Sequence, residues 1–167
     1  MMDPKTMAQT LTIQYGYTTY LFGATLTGLT NEQALKQPSP GGNCLNWVAG
    51  HIVQARGATL AVLGQELPFP AEKYERYVRG SASNTDAAET MPLSEMLADF
   101  AATEDGLAAG LAGLTAERLA EKAPFSPGNN EKETVGSLVA GLVFHEGYHI
   151  GQLGLLRRLA GEEGVVK

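Results

Sequence analysis

The sequence is poor in cysteine and in positive charge, and it contains no long apolar run. Cys44 is its one cysteine, so no disulfide can form within the chain, as is usual in a reducing compartment such as the cytoplasm. Lys and Arg number 12 against 18 Asp and Glu, for a net charge of −6. This balance disfavours nucleic acid as a partner, because nucleic-acid-binding domains carry a dense basic patch. The sequence contains no run of about 18 apolar residues, so we predict no membrane span. No basic stretch precedes an apolar one, so we predict no signal peptide.

The remaining composition is that of one globular domain. The chain has 167 residues, of which 44% are hydrophobic and 18% charged. A chain of this length usually forms one domain, so we treat residues 1–167 as a single unit. We find no internal repeat and no alternating runs of β-branched residues of the kind that form strands. The sequence therefore predicts an all-α fold.

Apolar residues recur at helical spacing in four long segments. We predict helices over residues 4–29, 43–63, 92–114 and 134–159. Asp3 and Asn43 are expected N-caps, and Gly64 and Gly161 are expected helix ends. Short helical turns are expected after Thr30 and over residues 115–119. These lengths predict an antiparallel four-helix bundle, with a long connection over residues 65–91 between the second and third helices.

The sequence has three histidines, and all three fall on apolar helix stripes. His145 and His149 are four residues apart in the fourth segment, so their side chains share one face of the helix. His51 lies on an apolar stripe of the second segment. Three neutral imidazoles converging inside a bundle suit a divalent transition metal, with zinc or nickel expected first. Three protein ligands leave a coordination position open, as in catalytic sites. The alternative is three core histidines satisfied by hydrogen bonds alone.

The segment from His145 to His149 also reads H-E-x-x-H, the pattern of zinc peptidases in which the Glu is the general base. Glu146 is therefore a candidate catalytic residue, and a solvated surface carboxylate is its alternative. The longer form of the pattern is absent, because Gln152 and Leu155 stand where it needs Gly and His. Gln152 lies one turn beyond His149 and is a second candidate, able to orient a ligand through its amide.

The long connection carries two tyrosines and two arginines near its middle: Tyr74, Arg76, Tyr77 and Arg79. We consider two interpretations of this cluster. It forms a lid over the metal that binds an anionic substrate, or it is a tether packed on the bundle.

The last segment reads H-x-x-x-H-x-G-Q from His145 to Gln152, and the second reads N-W-V-A-G-H-I from Asn46 to Ile52. With these residues and this order of helices, the chain resembles the DinB-like (YfiT-like) metalloenzyme family over essentially its whole length. The resemblance implies a four-helix bundle in which His51, His145 and His149 bind one metal ion.

Characterised members of that family include thiol S-transferases that use bacillithiol and an isomerase that uses mycothiol. The resemblance therefore implies a metal-dependent enzyme that activates a low-molecular-weight thiol for transfer to a small electrophile. A metal-dependent hydrolase is the alternative. A non-catalytic metal-binding module that dimerises through an outer helix face is the third hypothesis, and a homodimer is left open for the enzyme as well.

Overall fold

The computed structural model describes residues 3–39 and 41–166, apart from the side chain of Glu89. Within these residues the chain forms six α-helices: α1 (Pro4–Leu26), α2 (Leu45–Val62), α3 (Leu93–Ala102), α4 (Glu104–Ala112), α5 (Ala116–Ala120) and α6 (Val135–Leu159). Short 3₁₀ helices cover Gln33–Leu35, Ala71–Tyr77 and Ala87–Glu89. The described part contains no strand, only an isolated bridge between Lys122 and Thr134. The predicted all-α class is confirmed. No helix in this part of the chain is both long and apolar enough to cross a bilayer.

Most helix ends follow the capping chemistry predicted from the sequence. The Asp3 side chain accepts hydrogen bonds from the first backbone N–H groups of α1, which have no partner within the helix. Thr134 caps α6 in a capping box. α1 stops at Leu26, three residues earlier than predicted, because Gly28 turns the chain with φ of +84°. Gly64 and Gly161 adopt positive φ values just beyond α2 and α6, as expected.

Two helix predictions are wrong in detail. Cys44, and not Asn43, is the N-cap of α2, and its own N–H donates to Ser83 Oγ. The third predicted helix is not continuous, since it divides into α3 and α4 at Thr103. The buried Thr103 hydroxyl donates to the Phe100 carbonyl at 2.6 Å, and such bonds compete with the backbone bonds of the helix and bend it.

The long helices pack around a shared interior. α6 packs against α1 and α2, while α3 and α4 pack against both α1 and α2 from the other side. The arrangement is therefore a bundle with four long members, the third of which consists of α3 and α4. The two helices that carry the histidines, α2 and α6, are direct neighbours.

The connection between α2 and α3 packs on the bundle. Tyr74 and Tyr77 are fully buried in the core beside α2. Gly50 makes this approach possible, because a Cβ atom there would lie 2.3 Å from Cδ1 of Tyr77. The burial of these two tyrosines favours the tether packed on the bundle; a lid over the metal that binds an anionic substrate stays a prediction.

Candidate metal centre

The three histidines meet between α2 and α6. Nε2 of His145 lies 3.0 Å from Nε2 of His149 and 3.3 Å from Nε2 of His51. All three ligand atoms fall within 4.8 Å of one another. His51 is buried, whereas His145 and His149 are half-buried, so one side of the cluster remains accessible. The convergence expected from the helix stripes is present in the structure.

In two of the rings, the Nδ1 atom points away from the cluster and makes a hydrogen bond that fixes which ring nitrogen carries the proton. Nδ1 of His51 lies 2.8 Å from the Tyr77 carbonyl oxygen, and Nδ1 of His149 lies 2.7 Å from Oε1 of Gln152. Both oxygens can only accept, so each Nδ1 carries the proton and each Nε2 presents a lone pair to the cluster. Metal-ligating histidines are usually oriented in this way. Gln152 thus contacts the ring of His149, and its role in orienting a metal ligand stays a prediction.

The donor set fits a divalent transition metal. Two nitrogens bound tetrahedrally to zinc at 2.0–2.1 Å lie about 3.3 Å apart, close to the observed separations of 3.0 and 3.3 Å. Burial lowers the pKa of all three imidazoles; for His145 the neighbouring histidines and Arg79 add to the effect and bring the pKa to about 4. The rings are therefore neutral near pH 7, as metal coordination requires. Nδ1 of His145 is buried without a hydrogen-bond partner, so this ring lacks the contact on its far side that the other two have.

Aromatic side chains and one arginine surround the cluster. The Trp47 ring stacks on His51 with centroids 5.0 Å apart, and Tyr148 makes an edge contact with His149 at 5.2 Å. Arg79 is exposed, and its charge contributes to the low pKa of His145. The long connection thus supplies both the carbonyl that orients His51 and a positive charge near the centre.

Glu146 forms a buried ion pair that the sequence analysis missed. Nε of Arg56 donates to Oε2 of Glu146 at 2.8 Å, and Nη2 donates to Oε1 at 2.5 Å. The Arg56 side chain is 0% exposed and that of Glu146 2%. The guanidinium also lies over the rings of Phe100, at 4.1 Å, and Tyr15, at 5.0 Å. The pair therefore joins α2 to α6, the two helices that carry the histidines.

One signal in the sequence could have revealed this pair. Arg56 is the one Lys, Arg, Asp or Glu in α2, and Glu146 is the one acidic residue in α6. A lone charge in an apolar helix needs an opposite partner when it is buried.

The pair bears on the two interpretations of Glu146. The interpretation of Glu146 as a solvated surface carboxylate is wrong, since its side chain is buried. Its catalytic role stays a prediction, but both of its oxygens accept hydrogen bonds from Arg56, which favours a structural role over that of a general base.

The fold and the site together define a class: an all-helical bundle protein with a three-histidine centre suited to a divalent metal. The family model described as the DinB superfamily matches residues 14–153. The chain belongs to the DinB superfamily.

Two crystal structures show the same fold. A DinB-like protein from Bacillus cereus ATCC 10987 superposes with a TM-score of 0.64 at 22% identity, over 90% of this chain and 91% of that one. A conserved protein from Enterococcus faecalis gives a TM-score of 0.68 at 16% identity, over 97% of this chain and all of that one. No curated protein matches the chain.

Proposed function

We propose that this protein binds one divalent transition metal, zinc or nickel, through His51, His145 and His149, and that it is a metal-dependent enzyme acting on a small molecule. The observation that carries the proposal is the meeting of three Nε2 atoms, two of them on rings whose Nδ1 atoms are already engaged. When bound, such a metal lowers the pKa of a thiol or water that coordinates to it.

The residues around the histidines take defined roles in this proposal. Gln152 and the Tyr77 carbonyl hold His149 and His51 in the orientation that a ligand needs. Trp47 shields His51 from water. Arg79 attracts an anionic substrate to the accessible side of the centre. The long connection lies over His51, so the substrate approaches from the side of the half-buried His145 and His149.

Transfer of a low-molecular-weight thiol to a small electrophile is the reaction we propose. A thiol has an ordinary pKa of about 8.5, so it needs far less help than water to ionise near neutral pH. Hydrolysis of the H-E-x-x-H type uses the Glu as general base beside the nucleophilic water, and the Glu of that pattern here, Glu146, is held by Arg56. This pairing favours the transferase over the hydrolase. A cytoplasmic location and a homodimeric assembly complete the proposal.

Metal content and thiol dependence test the proposal together. Purified protein is expected to contain about one metal per chain by elemental analysis, and to conjugate thiols from a panel to a chromogenic electrophile. Chelator should abolish the reaction, and added metal should restore it. His149→Ala should lose both metal and activity. Gln9→Ala, at an exposed position of α1, is the matched control and should keep both.

Three outcomes would contradict parts of the proposal. Stoichiometric metal in His149→Ala would overturn the ligand assignment. Metal-dependent cleavage of esters or amides without thiol dependence would favour the hydrolase. Full metal loading with no activity on either panel would favour a non-catalytic metal-binding module.

A further inference from the structure

A single buried amide near the start of α2 holds the long connection at three points. Asn46 is fully buried, and burial of an amide is costly unless its polar atoms are hydrogen-bonded. Its Oδ1 accepts hydrogen bonds from the Tyr77 hydroxyl at 3.2 Å and from Nδ2 of Asn84 at 2.6 Å. Its Nδ2 donates to the Met91 carbonyl at 2.8 Å. One side chain of α2 thus contacts residues near the middle and the end of the connection.

Tyr77 is the residue through which this anchoring reaches the candidate metal centre. Its hydroxyl donates to Asn46 and also accepts a hydrogen bond from the backbone N–H of Met91 at 3.1 Å. Its carbonyl oxygen lies 2.8 Å from Nδ1 of His51. The Tyr77 side chain is fully buried, and Gly50 leaves the space that its ring occupies. Tyr77 is therefore held by its side chain while its backbone contacts the histidine.

Trp47 holds the residues that follow Tyr77. Its Nε1 donates to Ser81 Oγ at 2.9 Å, and the same Ser81 oxygen lies 2.8 Å from the Val78 carbonyl oxygen. The Trp47 ring also stacks on His51. The N-W-V-A-G-H-I segment of α2 therefore carries His51 together with the side chains that hold the connection against it.

We propose that Asn46 is a positioning residue for the centre and that it acts on His51 through Tyr77. By holding the Tyr77 side chain, Asn46 keeps the Tyr77 carbonyl where it accepts the hydrogen bond from Nδ1 of His51. The proton then stays on Nδ1, and Nε2 presents its lone pair to His145 and His149. This role deepens the proposed function: its effect on metal affinity rests on that function, whereas its effect on the His51 ring does not.

The chemistry of the site favours this role over packing alone. An apolar side chain of similar size would fill the Asn46 position without needing partners for an amide. Buried polar groups that are hydrogen-bonded to one another rigidify a single arrangement of the chain. Tyr74 offers a contrast within the same 3₁₀ helix, because its hydroxyl donates to Oδ2 of Asp99 at 2.8 Å, on α3, which carries no histidine. The two tyrosines therefore separate simple anchoring of the connection from anchoring that reaches His51.

NMR of metal-free protein with isotope-labelled histidine tests the proposal without relying on metal binding. The wild type is expected to hold His51 as the tautomer protonated at Nδ1, read from the chemical shifts of its two ring nitrogens. Asn46→Leu and Tyr77→Phe should each shift this ring towards a mixture of both tautomers. Zinc affinity, measured by chelator competition, should fall about 10-fold in both variants, the low end for contacts that orient metal-ligating histidines.

Tyr74→Phe is the matched control, because it removes the same hydroxyl from the same 3₁₀ helix. It should leave both the His51 tautomer and the zinc affinity at their wild-type values. Tyr77→Phe removes one hydroxyl only, so it decides the question if Asn46→Leu does not fold.

Two results would overturn the proposal. One is an unchanged His51 tautomer in either folded variant, Asn46→Leu or Tyr77→Phe. The other is an equal change in Tyr74→Phe, since the effect would then come from loosening the connection as a whole. A wild type that binds no zinc would instead contradict the proposed function, and the tautomer measurement would still decide whether Asn46 positions the ring.

Discussion

Replacing Glu146 by Gln should destabilise the protein strongly, because it leaves the Arg56 charge buried without its counterion. The guanidinium is fully buried, and its remaining hydrogen bond is to Thr19 Oγ at 3.2 Å. Its Nη1 atom already lacks a partner. Breaking a buried pair from one side typically costs about 3–5 kcal/mol. The Phe100 and Tyr15 rings remain and offset part of this loss, so we expect the low end, about 3 kcal/mol.

Urea unfolding of metal-free protein, followed by circular dichroism, measures this change in the free energy of unfolding. Total stability is usually about 5–15 kcal/mol, so a loss of this size is easily resolved. The matched control replaces both partners, Arg56→Met with Glu146→Leu. It should recover most of the loss, because neither charge then needs to be desolvated.

The same experiment separates the two roles of Glu146. A structural residue loses stability in Glu146→Gln, and the apolar double variant regains both stability and metal binding. A general base would behave differently, with unfolding free energy within about 0.5 kcal/mol of the wild type but activity abolished in both variants. That second result would refute the structural argument and revive the role expected from the H-E-x-x-H pattern.

Three further predictions concern the centre and its support. Gln152→Leu should weaken metal affinity about 10–100-fold in a chelator competition, because it removes the group that orients His149; unchanged affinity would mean that the contact orients nothing. Gly50→Ala should lower stability by about 1–3 kcal/mol in thermal unfolding, because the added methyl displaces the Tyr77 ring; a neutral result would contradict this tight packing. Chelated protein should lose stability as the pH falls from about 6.5 towards 4: burial holds the pKa of His145 near 4, so in this range the unfolded chain binds protons that the folded chain does not. Urea titrations at several pH values would show this slope, and a flat profile would count against a neutral buried cluster.

The histidine cluster could be predicted because its signal is local. His145 and His149 share a helix face through their spacing alone, and His51 interrupts an apolar stripe, so periodicity predicted that all three face the interior of the bundle. Periodicity shows which face of a helix is buried but not which helix covers it. Only the resemblance to a family therefore predicted that α2 and α6 are neighbours.

Pairing and helix breaks could not be predicted in the same way. The Arg56–Glu146 pair joins residues far apart in sequence, and an ion pair leaves no periodic trace. The third predicted helix divides where the Thr103 hydroxyl donates a hydrogen bond to a backbone carbonyl of the preceding turn. Such a bond depends on the local packing, so a threonine in the middle of an apolar stripe does not by itself reveal it.

The contact between the Tyr77 carbonyl and His51 ties the long connection to the centre. The 3₁₀ helix Ala71–Tyr77 supplies the hydrogen bond to Nδ1, on the far side of that ring. A metal that fixed the His51 ring would therefore also restrain this segment. By thermodynamic reciprocity, a segment held in place would in turn favour metal binding. Backbone amides of this segment are accordingly expected to exchange with deuterium more slowly in loaded than in chelated protein. Exchange in the stretch between α2 and α3 would therefore report whether the centre holds a metal, without the need for any substrate.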